Sequence, residues 1–116
     1  ESFRDWGYAK DYVEVMWLLL QQDIPDDFVI ATGKSYAVKD FLNEAFLSCD
    51  LDWTRYIKID PSLYRPNEVN FLRGDITKAE NQLNWSPKTT FKELIRIMIN
   101  SDMELAKKEL LIKNTK

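Results

Sequence analysis

The sequence predicts a small α/β domain, rich in helix and with short strands, whose main sheet is missing. Two observations carry this. Apolar residues recur at helical spacing in several windows bounded by Pro, Gly or capping residues. The segments suited to strands are short apolar runs, too few for a self-sufficient doubly wound sheet, so some are expected to pair with strands outside this chain. With 116 residues the chain fits one compact domain.

Arg4-Asp5-Trp6 reads as the end of a short extended segment, broken by Gly7. From about Ala9 to Gln22, Tyr12, Val13, Met16, Trp17 and Leu20 form a stripe of period near 3.6, which predicts a helix packing that stripe into the core. Pro25-Asp26-Asp27 ends it in a turn. Phe28-Val29-Ile30-Ala31 reads as a buried strand before Gly33. A second helix is expected from Val38 to Ser48, with Val38, Phe41, Leu42, Ala45 and Phe46 on one face; Ala37 ahead of it lacks the side-chain acceptor worth roughly 1 kcal/mol at an N-cap. Tyr56-Ile57-Lys58-Ile59 alternates well enough for a strand, ended by Asp60-Pro61. Pro66 keeps the stretch from Leu63 to Val69 out of regular helix. Asp75 is placed to cap a helix from Ile76 to Asn84 that turns Ala79 and Leu83 inward. In Thr90-Phe91-Lys92-Glu93 the Thr and the Glu can each satisfy the other's backbone donor, a capping box that opens the last helix. Phe91, Leu94, Ile95 and Met98 form its face, and a lysine-rich end suits a helix C-terminus followed by a tail. The expected order is β-α-β-α-β-α-α, with a domain over 1–108 and a flexible tail over 109–116.

The bulk numbers exclude several functions. A net charge of −3 with scattered basic residues argues against nucleic-acid binding. The longest apolar run, Val15 to Leu20, falls far short of the roughly 20 residues that span a bilayer. No basic segment followed by an apolar stretch opens the sequence, and one cysteine, Cys49, cannot form an internal disulfide, so a reducing, cytoplasmic setting is expected. The chain has no histidine, which removes the commonest general base and metal ligand and leaves Cys49 without a Cys–His partner. Asp26, Asp27, Asp50 and Asp52 lack the alternation of a calcium loop and read as solvated turn residues. Its three glycines, Gly7, Gly33 and Gly74, lie too far apart for a dinucleotide or phosphate loop. No catalytic constellation, metal site or cofactor motif emerges.

Binding residues do. Arg4 and Arg65 sit beside turns and next to aromatics, outside any amphipathic surface helix. A guanidinium is permanently charged and forks onto phosphate oxygens, so two converging would suit a diphosphate. Glu68, across Pro66, is a candidate acceptor for ribose hydroxyls. The competing reading makes them structural ion pairs, Arg4 with Asp5 or Asp11 and Arg65 with Glu68; residue types alone favour it.

Longer motifs change that balance. Arg4-Asp5-Trp6-Gly7-Tyr8-Ala9-Lys10-Asp11-Tyr12-Val13, with Asp27-Phe28-Val29-Ile30-Ala31-Thr32-Gly33, closely resembles two specific stretches of the GDP-mannose 4,6-dehydratases, which are extended short-chain dehydrogenase/reductases. Tyr64-Arg65-Pro66-Asn67-Glu68-Val69, Gly74-Asp75-Ile76-Thr77-Lys78-Ala79 and Leu83-Asn84-Trp85-Ser86-Pro87-Lys88 resemble further motifs of that family, in family order. Two positions depart from it: Tyr8 stands where the family has His, and Ala37 where Ser or Thr is frequent.

The resemblance implies the C-terminal, nucleotide-sugar-binding part of a fold whose N-terminal Rossmann domain binds NADP. It implies that Arg4 and Arg65 contact the diphosphate of GDP-mannose and Glu68 the guanosine ribose. The implied reaction yields GDP-4-keto-6-deoxymannose, a step toward GDP-fucose and other deoxysugars: hydride leaves C4 to NADP, water is lost across C5 and C6, and the hydride returns to C6. The Tyr-x-x-x-Lys pair, the Ser or Thr and the Glu of that chemistry belong to the upstream part of the family, so this chain alone is expected to be inactive. Opening at Glu1 inside a motif, it is expected to be a fragment, with the missing Rossmann portion as its partner and a homo-oligomeric parent. A stand-alone guanine-nucleotide-binding or packing module, and the C-terminal part of another GDP-sugar epimerase or reductase, are the alternatives. Isolation should expose parts of Trp6, Tyr64 and the face from Phe91 to Ile99, and promote self-association.

Overall fold

The computed structural model describes residues 2–115; Glu1, in the expected domain, and Lys116, in the expected tail, lie outside the described residues. The elements are β1 (Phe3–Arg4), α1 (Ala9–Leu20), β2 (Tyr36–Ala37), α2 (Val38–Leu47), single 3-10 turns at Trp53–Arg55 and Pro61–Leu63, α3 (Thr77–Leu83) and α4 (Phe91–Asn114). The sheet is a two-residue antiparallel pairing of β1 with β2, Phe3 opposite Ala37 and Arg4 opposite Tyr36. Among the described residues no helix is long and apolar enough to cross a membrane.

All four helices lie where periodicity and capping place them. The Thr90–Glu93 box is closed in both directions, Thr90 N–H to Glu93 Oε2 at 2.8 Å and Glu93 N–H to Thr90 Oγ1 at 3.3 Å. At α2, where Ala37 offers no acceptor, the Asp40 carboxylate takes the Ala37 N–H at 2.9 Å, half of such a box. Asp75 accepts from the Thr77 N–H and hydroxyl at 3.0 and 2.6 Å and so organises the start of α3.

Four expectations are corrected. Phe28 to Ala31 is irregular backbone: Phe28 and Ile30 are partly buried against the core of α1 and α3 and Ala31 is buried, Val29 is exposed, and no strand runs beside the segment among the described residues. Tyr56 to Ile59 is also irregular and is exposed; Asp52 accepts from the Thr54 N–H and hydroxyl and folds the chain just ahead into a 3-10 turn. Helix α4 runs to Asn114, through most of the segment read as a tail.

The fourth concerns α1. The expected core stripe faces outward: Met16 and Trp17 are 59% and 61% exposed and Leu20 is 82% exposed. The helix is rotated so that Asp11 and Val15 are buried, with Tyr12, Leu18 and Leu19 packed alongside. The core there is Val15, Ala79, Leu83 and Trp85, flanked by Phe28 and Ile30. Of the surfaces expected to be partly exposed, Tyr64 is exposed, and so are Ile97 and Met98 on the face from Phe91 to Ile99. Trp6 is half-buried, its ring 4.7 Å from that of Phe41 and its indole N–H donating to Tyr36 O at 3.1 Å. On α4, Leu94 and Ile95 of the expected apolar face are buried.

Two acids knit these parts together. The Asp11 carboxylate accepts from the Lys88 and Thr89 N–H groups at 3.1 and 2.9 Å, tying α1 to the loop before α4. Asp5 accepts from the Thr32 N–H (2.8 Å), the Thr32 hydroxyl (2.6 Å), the Gly33 N–H (3.0 Å) and the Gly74 N–H (3.1 Å). Both glycines are required where they stand. Gly33 has φ +77°, and a Cβ on Gly74 would lie 2.2 Å from that of Ala31. Burial, with the Asp5 and Asp11 charges beside it, pushes the Tyr12 phenol above its ordinary pKa.

Residues 100–114 of α4 are exposed throughout. This projecting helix helps explain a radius of gyration of 18.2 Å, against about 13 Å for a compact domain of this size.

Candidate functional site

Strand β1 brings the two halves of the site together. On its side away from β2, the Phe3 N–H donates to Asn70 O at 2.8 Å and the Leu72 N–H donates to Phe3 O at 3.1 Å. The chain from 68 to 72 is thereby laid along β1, and the Arg4 guanidinium meets it. Arg4 donates to Phe3 O at 2.7 Å, to Val69 O at 2.6 Å and to the Glu68 carboxylate. Arg65 comes from the loop after the Pro61–Leu63 turn. Asp60 accepts from the Ser62 N–H and hydroxyl at 2.9 and 2.7 Å, setting the Pro61–Leu63 turn, and Pro66 keeps the backbone around it irregular.

Arg4, Arg65 and Glu68 line one cavity of about 630 Å3. Neither structural pairing anticipated for the arginines is formed. Asp5 and Asp11 are taken by backbone N–H groups, and Glu68 pairs with Arg4 instead of Arg65. The other two ion pairs of the described residues, Lys78–Asp26 and Lys88–Glu14, lie elsewhere. The lining carries two guanidinium groups against one carboxylate and is net positive. Of the five donors of a guanidinium, three of those on Arg4 are engaged, and no partner to the other two is found among the described residues. Glu68 uses Oε1 for Arg4, and no partner to its Oε2 is found among the described residues.

A second cavity, of about 470 Å3, opens beside the Asp5 latch, between Thr32-Gly33-Lys34 and the start of α3. It contains none of these three residues. Among the described residues no group of acids and cysteine is arranged to hold a metal ion.

Sequence reasoning did not single out Leu63 and Tyr64 as part of a site, yet both line the larger cavity. The available signal was that these bulky residues stand in a stretch with no helical or alternating face on which to bury them. It also gave Asp5 and Asp11 no role beyond pairing with Arg4. An acid just before or inside the first turn of a helix carries no mark of which distant N–H groups it will meet.

The profile of the GDP-mannose 4,6 dehydratase family matches residues 1–98. The chain belongs to that family. GDP-mannose 4,6 dehydratase 1 of Arabidopsis thaliana is 49% identical over 109 residues, covering 94% of this chain and 30% of the relative. The Homo sapiens GDP-mannose 4,6 dehydratase is 45% identical over 122 residues, covering 90% and 33%. The Vibrio cholerae GDP-mannose 4,6-dehydratase is 35% identical, covering 97% and 38%. The chain thus spans about a third of the length of the curated dehydratases it matches. Among solved structures, a Thermotoga maritima UDP-glucose 4-epimerase with UDP-glucose superposes with TM-score 0.72 and 26% identity, over 91% of this chain and 33% of the epimerase. A Bordetella bronchiseptica enzyme in complex with NAD and UDP shares the fold at TM-score 0.69 and 20% identity, over 88% of this chain and 33% of its own. The dehydratase motifs acquire physical meaning on this fold. Asp5 of the first motif holds Thr32 and Gly33 of the second and Gly74 of the fourth, while Asp11 holds the backbone that follows Trp85-Ser86-Pro87.

Proposed function

We propose that this chain is the nucleotide-sugar-binding part of a GDP-mannose 4,6-dehydratase with an extended short-chain dehydrogenase/reductase fold. Arg4 and Arg65 clamp the diphosphate of GDP-mannose, and Glu68 accepts from the guanosine ribose. The observation that carries the reading is the convergence of all three on one cavity, from β1 and from the loop around Pro66. The work of these residues is binding and orientation. The clamp neutralises the diphosphate and fixes its register, through charge-assisted bonds stronger than neutral ones. One oxygen of Glu68 steadies Arg4, and the other faces a ribose hydroxyl.

The parent converts GDP-mannose to GDP-4-keto-6-deoxymannose in the cytoplasm, as a homo-oligomer, and this chain alone is inactive. The residues here do not fit NADP. Among the described residues two glycine turns lead into helices: at Gly7-Tyr8 before α1 the Tyr12 side chain is packed against the glycine, and at Gly74-Asp75 before α3 the Asp75 carboxylate is set on the Thr77 N–H, a donor that a pyrophosphate would need. The cofactor belongs to the part of the parent outside this chain.

Titration of the chain with GDP, GMP and guanosine tests the clamp. Each charge-assisted hydrogen bond to a phosphate oxygen is worth about 1.5–3 kcal/mol. Affinity is expected to fall by about tenfold or more from GDP to GMP, and again to guanosine. Equal affinity for all three ligands would contradict the clamp.

A further inference from the structure

The larger cavity is two-natured. Its charged residues are those of the clamp, and beside them it is lined by the apolar side chains of Val38, Leu63 and Tyr64. Tyr64 is 68% exposed and Leu63 77% exposed, in a chain that buries or stacks most of its aromatic rings. Tyr36 stacks on Phe91 at 4.0 Å, Tyr56 on Phe46 at 5.8 Å, and Tyr12 lies 6.3 Å from Trp85. Among the described residues Tyr64 has no ring neighbour and its hydroxyl has no hydrogen-bond partner. The 3-10 turn at Pro61–Leu63 and Pro66 bracket it, so its backbone is restrained while its face stays open.

A ring at the wall of a cavity also lined by two guanidinium groups, about two-thirds exposed and stacked on no other ring among the described residues, has the character of a stacking platform. We infer that Tyr64, with Leu63 beside it, is the base-binding subsite of a nucleoside diphosphate whose diphosphate lies on Arg4 and Arg65. This rests on the clamp reading above and adds to it the surface that takes the base. Stacking on an aromatic face contributes about 1–3 kcal/mol per base and tolerates any base, since each has a π-face. The platform therefore supplies affinity for nucleoside diphosphates as a class and does not choose guanine over adenine.

The experiment titrates the wild-type chain and its Tyr64→Ala, Tyr64→Phe and Arg4→Ala/Arg65→Ala variants with GDP, ADP and inorganic pyrophosphate, with circular dichroism melts alongside. Tyr64→Ala is expected to weaken GDP and ADP alike by about 5- to 150-fold. It should leave pyrophosphate affinity and the melt unchanged, and Tyr64→Phe should behave as wild type. Undiminished GDP affinity in Tyr64→Ala, with binding lost in the double arginine variant, would overturn the platform and leave the clamp standing. Equal weakening of GDP and pyrophosphate would reduce Tyr64 to a structural part of the wall and also overturn it. Absence of GDP binding by the wild-type chain would overturn both.

Discussion

Substitution of Asp5 by Asn is expected to destabilise the chain far more than its half-buried position suggests. The Asp5 carboxylate accepts four hydrogen bonds, from the Thr32 N–H and hydroxyl on Oδ1 and from the Gly33 and Gly74 N–H groups on Oδ2. Asparagine keeps one oxygen and replaces the other with an NH2 donor. Set toward Thr32, its oxygen preserves the first two bonds, and the amide then points a donor at the donors of Gly33 and Gly74. Flipped, it sacrifices the Thr32 pair instead. Two bonds to a charged acceptor disappear either way, each worth about 1.5–3 kcal/mol, and partial access of water to the site lowers the sum. The expected loss is about 2–4 kcal/mol, a large part of the ~5–15 kcal/mol that holds a domain together. Urea denaturation followed by circular dichroism reads it as a lower midpoint at constant slope. Asp23→Asn, at an exposed turn residue, is the control and should shift nothing. A loss below about 0.5 kcal/mol for Asp5→Asn would refute the latch, because ordinary surface substitutions stay within that range.

The same geometry sets three more outcomes. Gly74→Ala sets a Cβ 2.2 Å from that of Ala31, so overpacking of about 1–3 kcal/mol is expected in the same denaturation assay; a neutral result would mean that the two segments separate freely. The Thr90 N–H and hydroxyl hold the Glu93 carboxyl below its usual range, and the Thr77 hydroxyl and N–H do the same for Asp75. Since the folded-state pKa values lie below the unfolded ones, this stabilisation is complete above the ordinary carboxylate range, about pH 4–5, and is lost as pH falls through the folded values. Helicity of the wild type should therefore decline more steeply on acidification than that of Glu93→Gln, and parallel curves would count against the capping box. The exposed apolar ridge of Val13, Met16, Trp17 and Leu20 predicts concentration-dependent association in sedimentation velocity, relieved by Trp17→Glu; a wild-type monomer at all concentrations would contradict it.

The helices were legible because their signals are local: a capping box at Thr90, periodic apolar residues and bounding prolines. The orientation of α1 was not. Its apolar residues run without interruption from Val15 to Leu20, so period alone cannot choose the buried face. The decision is made by Asp11, an acid that goes inside because two distant backbone N–H groups meet it there. The β1–β2 pairing escaped for a related reason. Tyr36-Ala37 has no strand pattern, and its ladder is two residues long, set by the packing of Trp6, Phe41 and Phe91 around it. Phe28 to Ala31 was read as a buried strand, and only Ala31 is buried, with Phe28 and Ile30 partly so and Val29 exposed; the backbone is irregular, since a strand needs a neighbour that the sequence cannot supply by itself. Arg4, Arg65 and Glu68 stood out through residue chemistry and motif. Their convergence depends on the pairing of Phe3 with Asn70 and Leu72, partners far apart in sequence.

Calorimetric titration of the chain with GDP-mannose at low salt, beside its Arg4→Ala/Arg65→Ala variant, tests the diphosphate clamp most directly. The clamp predicts saturable binding by the wild type and none by the variant, with the variant still folded by circular dichroism. A folded variant that binds GDP-mannose as tightly as the wild type, or a folded wild type that does not bind at all, would contradict it.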